Sequence, residues 1–181
     1  MSPRPAPDMD ERREQVVRAA RSIAESSGWD AVTTRRLSQE LGVSQPVLYS
    51  AFAGRQAIID AVVIEAATEL AAELATNEVS ARARMQAYLT FAANNPRAYE
   101  AMFSLPLGLT FASNTTPAPL RQAFANLRAV FPDSDGTRTE IAWATLHGLA
   151  TLGAGNRLRD HEDSTRFELA HAMLTTHAPA D

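Results

Sequence analysis

Apolar positions recur at three- and four-residue spacing along almost the whole chain, and no run alternates with the period of two that a half-buried strand needs. Val16, Ala20, Ile23 and Ala24 mark a first helix, opened by a capping box of Asp8 with Glu11 and closed by Gly28. A short second helix runs from about Thr33 to Leu41, with Leu37 and Leu41 one turn apart and Gly42 placed for the left-handed residue after a helix end. Ser44 is a good N-cap for a third, with Pro46 in its first turn, where a missing N–H costs little; it ends near Ala51. A long fourth helix covers about Arg55 to Ala75, with Ile59, Val62, Val63, Ala66 and Leu70 inward.

Ser80 caps a fifth helix through Asn94, and Asn95-Pro96 opens a sixth that stops before Pro106. Residues 106–116 form an unusually apolar loop with Leu107, Leu109 and Phe111. Thr116-Pro117 opens a seventh helix carrying the stripe Leu120, Phe124, Leu127 and Phe131, and Pro132 to Gly136 make a turn. An eighth helix follows to about Gly153 and a ninth from Ser164 to Thr176. The pattern predicts an all-α protein of about nine helices. Its segments are an irregular arm over residues 1–8, an N-terminal three-helix bundle over 9–55 and a helical C-terminal domain over 56–181.

Composition removes several chemistries. The 181 residues include no cysteine, which rules out disulfides, thiolate metal sites and a cysteine nucleophile. All seventeen basic residues are arginine, so neither a Schiff-base nor a phosphate-loop lysine is available. No apolar run approaches eighteen residues and residues 1–9 carry no secretory signal, so the expected location is the cytoplasm. The net charge of −4 argues mildly against nucleic acid as a partner, but it is unevenly spread. Residues 1–55 hold eight arginines against seven acids, whereas 56–181 hold nine against fourteen. A DNA-reading front with an acidic rear has this sign.

The two short helices joined by Gly42-Val43-Ser44 form a helix-turn-helix. Leu37, Leu41, Val43, Leu48 and Phe52 take its inward positions, which leaves Gln45, Pro46, Val47, Tyr49 and Ser50 pointing outward from the second helix. Such a helix lies in the major groove with its N-terminal residues on base edges. Gln45 suits an adenine edge and Val47 a thymine methyl. Tyr49 and Thr33 suit phosphate oxygens, Arg55 pairs with a phosphate by charge, and Thr34, Arg35 and Ser44 complete the candidate DNA face.

The run Gly-Val-Ser-Gln-Pro-Val-Leu-Tyr over 42–49, with Thr33, Leu37, Phe52 and Arg55 around it, resembles the TetR family of bacterial transcriptional regulators. The resemblance covers about residues 10–62. It departs at Ala51, where the family usually has histidine or tyrosine, and at Ser38, where alanine is usual. Farther on, Trp143, His147 and Gly148 resemble the tryptophan–histidine–glycine signature of one subgroup's ligand domain. The resemblance implies a homodimer that binds a double-stranded operator, usually as a repressor, and releases it when a small effector occupies the rear domain. It also implies that the last two helices pair with a partner's as a four-helix bundle. Ala144, Gly148, Leu152, Phe167, Ala170, His171 and Leu174 are the residues that suit such an interface. A ligand-binding or protein-interaction protein with a vestigial head stays open as a second reading, supported by Ala51 and the acidic balance.

The effector cavity is expected among Tyr88, Phe91, Tyr99, Met102, Phe103, Phe111, Phe124, Trp143 and His147, with the 106–116 loop as a flap. Between Ala81 and Asn95 the only ionisable residues besides Tyr88 are Arg82 and Arg84, near the helix start. A small, hydrophobic or planar compound with one or two hydrogen-bonding groups therefore suits the site, rather than a sugar or a polyanion. Nothing calls for a cofactor or a metal. His147, His161, His171 and His177 form no metal-binding spacing, and no nucleophile elbow or glycine-rich phosphate loop is present, so enzyme activity is not expected.

Overall fold

The structure, a computed structural model, describes residues 8–75, 79–111 and 113–176. The expected N-terminal arm, apart from Asp8, and His177 lie outside those residues. Nine α-helices and a one-turn 3-10 helix make up the regular structure among the described residues, with no strand. They divide into two compact units, one within Met1–Ala66 and Arg97–Pro117, the other within Ala67–Pro96 and Ala118–Asp181.

The first unit holds α1 (Met9–Ser27), the 3-10 turn Trp29–Ala31, α2 (Thr34–Leu41), α3 (Gln45–Ala51), the first part of α4 (Arg55–Leu74) and most of α6 (Pro96–Ser104). Each start has a chemical cause. Asp8 Oδ1 accepts from the Glu11 amide at 2.8 Å and opens α1. Thr33 Oγ1 accepts from the Arg36 amide at 3.1 Å and opens α2. Gly42, at φ 64°, ends α2 in the left-handed region and turns the chain directly into α3. Val16, Ala20, Leu37, Leu48 and Ile58 are fully buried, while Leu41 and Val43, expected inside, are only half-buried.

Ser38 is packed at 7% exposure, and its hydroxyl is buried without a hydrogen-bond partner among the described residues. A buried polar group left unpaired is a standing cost, and alanine would remove it without changing the shape. Ser38→Ala is therefore expected to raise stability by about 1 kcal/mol in thermal denaturation. A fall in melting temperature would mean that the hydroxyl has a partner, such as a buried water.

Two bonds tie the loop after α6 to α4. Gln56 Nε2 donates to the Pro106 carbonyl at 2.9 Å, and the Gly108 amide donates to Asp60 Oδ1 at 3.1 Å. The approach is close enough that a Cβ on Gly108 would stand 2.7 Å from Asp60 Oδ2.

The second unit holds the end of α4, α5 (Ala81–Asn94), α7 (Ala118–Arg128), α8 (Thr137–Ala154) and α9 (Asp163–Thr175). In it α5 packs against α8 and α9, and α7 against α8. Ser80 Oγ caps α5 through the Ala83 amide at 3.1 Å. Asp133 orders the turn before α8, its two carboxylate oxygens accepting from the Gly136 and Arg138 amides.

Arg84, near the start of α5 as expected, is buried at 6% exposure. It donates to the Asn126 carbonyl in the last turn of α7, where the negative end of the helix dipole favours a cation. Burial pushes its pKa down from the usual arginine value, and its Nε has no hydrogen-bond partner among the described residues.

The interface residues expected on α9 need correction. Ala170 and Leu174 are each 8% exposed and turn into the protomer, and Phe167 lies beneath the Arg82 guanidinium, 5.5 Å from ring centroid to Cζ. The face α9 shows to solvent carries Leu169 and Met173, and α8 exposes Ile141, Ala144 and Leu152. Both faces of α9 are apolar at i, i+4 spacing, so periodicity alone leaves two equivalent choices of inward face. No single helix among the described residues is long and apolar enough to cross a membrane.

Candidate nucleic-acid interface and rear-domain cleft

The seven residues of α3 divide cleanly. Leu48 and Ala51 are buried, whereas Gln45, Pro46, Val47, Tyr49 and Ser50 are exposed, Tyr49 by 50% and Val47 by 39%. Gln45, Val47 and Tyr49 therefore share an outward surface set by the burial of Leu48. Ser50 Oγ donates to the Val47 carbonyl at 2.7 Å, within its own helix. Ala51 is 4% exposed, so position 51 faces the interior of the head, and its methyl fills packed space.

Ser44 occupies the N-cap of α3, but its side chain makes no capping bond. The cause is local. The second residue of the helix, Pro46, has no N–H, and the third amide, Val47, donates to the Ser44 carbonyl at 3.1 Å. The exposed Ser44 hydroxyl is left with its full bonding capacity. Thr33, by contrast, accepts a capping bond and keeps its own proton to donate outward.

The head's arginines are largely committed within the protein. Arg13 lies 4.9 Å over the Phe52 ring, Arg18 pairs with Glu14 and Arg21 with Glu65 at 3.3 Å each, and Arg36 pairs with Glu40 at 3.7 Å. Arg35 is exposed and makes no ion pair among the described residues.

Arg55 has a structural task the sequence did not suggest. Its Nε donates to the Val32 carbonyl and its terminal nitrogen to the Trp29 carbonyl, each at 2.7 Å. The Trp29 indole in turn donates to the Arg97 carbonyl on α6 at 2.8 Å. The turn that aims Thr33 and α2 is thus held from α4 on one side and from α6 on the other.

In the rear, the expected cavity residues are mostly packing. Tyr88, Phe91, Met102 and Tyr99 are buried, at 1%, 0%, 4% and 6% exposure. The Tyr88 hydroxyl accepts from the Trp143 indole at 3.1 Å, and Phe124 meets the Trp143 ring edge-on at 6.0 Å. Tyr99 packs against Phe103 at 4.7 Å within the first unit. Phe111 is 43% exposed, which leaves it on the surface of the loop. His147 is half-buried, and that burial holds its pKa below the usual histidine value, so the ring is neutral at pH 7.

The second unit has a cleft elsewhere. A space of about 760 Å³ lies among α5, the C-terminal half of α8, the connection after it and the start of α9. Of the residues expected to bind ligand or partner, only Phe167 lines it. The sequence signal for it was a deficit of side-chain volume, with Ala92 and Ala93 on one helix and Ala150, Gly153 and Ala154 on the other.

Two family models match the chain. The family described as "Bacterial regulatory proteins, tetR family" matches residues 16–62, and "Tetracyclin repressor-like, C-terminal domain" matches residues 81–177. The chain belongs to the TetR family. It is 42% identical over 53 residues to the class D tetracycline repressor protein of Escherichia coli, a match spanning 29% of this chain and 24% of the repressor. The alignment thus reaches only about a quarter of that relative's length. An uncharacterized HTH-type transcriptional regulator of Mycobacterium tuberculosis is 31% identical over 154 residues, covering 77% of this chain and 69% of the relative. Among solved structures, a protein with unknown function from Rhodococcus sp. RHA1 superposes with a TM-score of 0.73 at 25% identity, over 95% of each chain. The TetR resemblance read from residues 33–55 is therefore sound, and the all-helical fold extends it along the chain.

Proposed function

We propose that this TetR-family protein is a homodimeric transcriptional repressor whose α3 enters the major groove of an operator and which a small, mostly apolar molecule releases from DNA. The observation that carries the reading is the exposure of Gln45, Val47 and Tyr49 on a helix fixed by buried Leu48. Gln45 reads an adenine edge, Val47 a thymine methyl, and Tyr49, Thr33, Ser44 and Arg35 bind backbone phosphates. With most of the head's guanidiniums already paired, hydrogen bonding rather than net charge supplies much of the affinity, and the salt dependence is modest. The heads act in pairs through the exposed faces of α8 and α9, and α4, shared by both units, carries the effector's influence as a shift between two states. On this reading the rear domain is of the tryptophan–histidine–glycine subgroup, which the sequence of Trp143, His147 and Gly148 supports, and the location is the cytoplasm.

Selection from a pool of randomised duplexes tests it. The wild type is expected to enrich a two-fold-related site. Gln45→Ala is expected to relax one base position in each half-site, by about 1–3 kcal/mol, and to leave the others intact. Enrichment of the same site by both proteins would move base reading off Gln45; no enrichment by either would reject operator binding.

A further inference from the structure

The cleft of the second unit has the proportions of a small-molecule site, and its lining limits what fits. Its walls are two helices that face each other largely with alanine and glycine, at Ala92, Ala93, Ala150, Gly153 and Ala154, which leaves room between them. Gly153 illustrates this: a Cβ placed there would meet nothing within 4 Å. Leu89, Leu149, Leu158 and Phe167 add apolar surface. About 760 Å³ falls within the range of ~300–1,000 Å³ typical of small-molecule sites. A helix of ~10 Å diameter fills ~420 Å³ per turn, so the cleft would take less than two turns of a partner's helix.

The charges in the lining are already matched. Arg82 and Glu168 join α5 to α9 through two bonds of 2.6 and 2.5 Å, and Arg166 pairs with Asp163. That arrangement leaves no net charge for an ionic ligand to neutralise. The uncharged polar side chains are Gln86 and Thr90 on α5 and Ser164 on α9. Gln86 Nε2 donates to Thr90 Oγ1 at 3.3 Å, which leaves the Gln86 carbonyl as an acceptor and the Thr90 hydroxyl as a donor.

We propose that this cleft, rather than the aromatic cluster around Trp143, binds the effector, and that the ligand is an uncharged, planar, mostly apolar molecule that hydrogen-bonds to Gln86 and Thr90. The proposal rests on the ligand-responsive reading above and gives that reading a place and a ligand class. Phe167, covered on one side by Arg82, offers a ring edge or face to a planar ligand.

Nile red, which is uncharged and planar and carries one carbonyl acceptor, is a suitable probe for the full chain. It is expected to bind saturably at one dye per chain. Ala150→Phe and Ala93→Phe, which fill the slot from its two walls, are expected to weaken binding at least tenfold, and Trp143→Phe to leave it unchanged. Because the wild type has no cysteine, Ala150→Cys gives a single labelling site. Saturating dye should slow its reaction with N-ethylmaleimide at least tenfold, a readout that does not depend on a filled variant folding. Wild-type dye affinity in both filled variants, unprotected Ala150→Cys, or no saturable dye binding would each overturn the cleft assignment. Loss of binding in Trp143→Phe alone would place the ligand in the aromatic cluster and leave the regulator reading standing. Dye bound in the cleft of a protein that selects no DNA site would do the reverse.

Discussion

Arg55→Ala is expected to damage the fold of the head as well as its hold on DNA. The guanidinium spans two carbonyls, those of Trp29 and Val32, in residues that are 4% and 0% exposed. Removing a charged donor from such acceptors costs about 1.5–3 kcal/mol for a typical charge-assisted bond, and the partial exposure of Arg55 puts the expected loss near ~2 kcal/mol in urea unfolding. Operator affinity should fall further than stability does, because the released turn precedes Thr33 and joins α1 to α2, the first helix of the helix-turn-helix. Lysine keeps the charge but cannot address two acceptors with a planar fork, so Arg55→Lys should recover less than half of either loss. A simple phosphate ligand would behave differently: stability unchanged, affinity lowered evenly across sequences, and the salt slope reduced by about one. Unfolding and salt titrations on the three proteins separate the two roles.

The second large effect is expected at the exposed apolar face of α9. Leu169 is 60% exposed and Met173 77%, one turn apart, and Ile141 and Leu152 on α8 are 58% and 42% exposed. Apolar side chains this open, on two helices of one unit, need cover from another surface. Replacing Leu169 and Met173 together with aspartate places two carboxylates where that cover would sit, and it touches little inside the protomer. Sedimentation should show a dimer for the wild type and a monomer for the double variant, with an unchanged helical circular dichroism spectrum. Losing paired half-sites removes the gain from linked binding, so operator affinity should drop about a hundredfold or more. A double variant that still sediments as a dimer would place the interface elsewhere. The matching change at Ala170 and Leu174, each 8% exposed, should instead unfold the unit.

These contrasts show how far the sequence could be read. The head was legible because its signals are short-range. Asp8, Thr33 and Gly42 act within a turn of themselves, and the burial of Leu37 and Leu48 follows from spacing alone. Ser44 does mark the N-cap of α3, but it makes no side-chain capping bond, since the proline beside it removed one of the amides its hydroxyl would have capped. What escaped was long-range or negative. The acceptors of Arg55 lie 23 and 26 residues back along the chain, and nothing near position 55 points to them. The burial of Arg84 escaped because its acceptor, the Asn126 carbonyl, belongs to another helix 42 residues away. The cleft is defined by side chains that are small, and a lack of volume on two separate helices has no periodicity to detect.

The contact between Gly108 and Asp60 has a consequence for inheritance. Any side chain at 108 would meet the carboxylate at 2.7 Å, and turning that carboxylate away gives up its bonds to the Gly108 amide and to Gln56. A mutation at 108 is therefore easiest in a background where position 60 has already shortened or changed, whereas losing the aspartate first costs only two exposed hydrogen bonds and no clash. Two codons 48 positions apart are thereby bound into an ordered path, with residue 60 free to drift first and residue 108 following. Among descendants of this sequence, lineages that have lost the glycine should be a subset of those that have lost the aspartate.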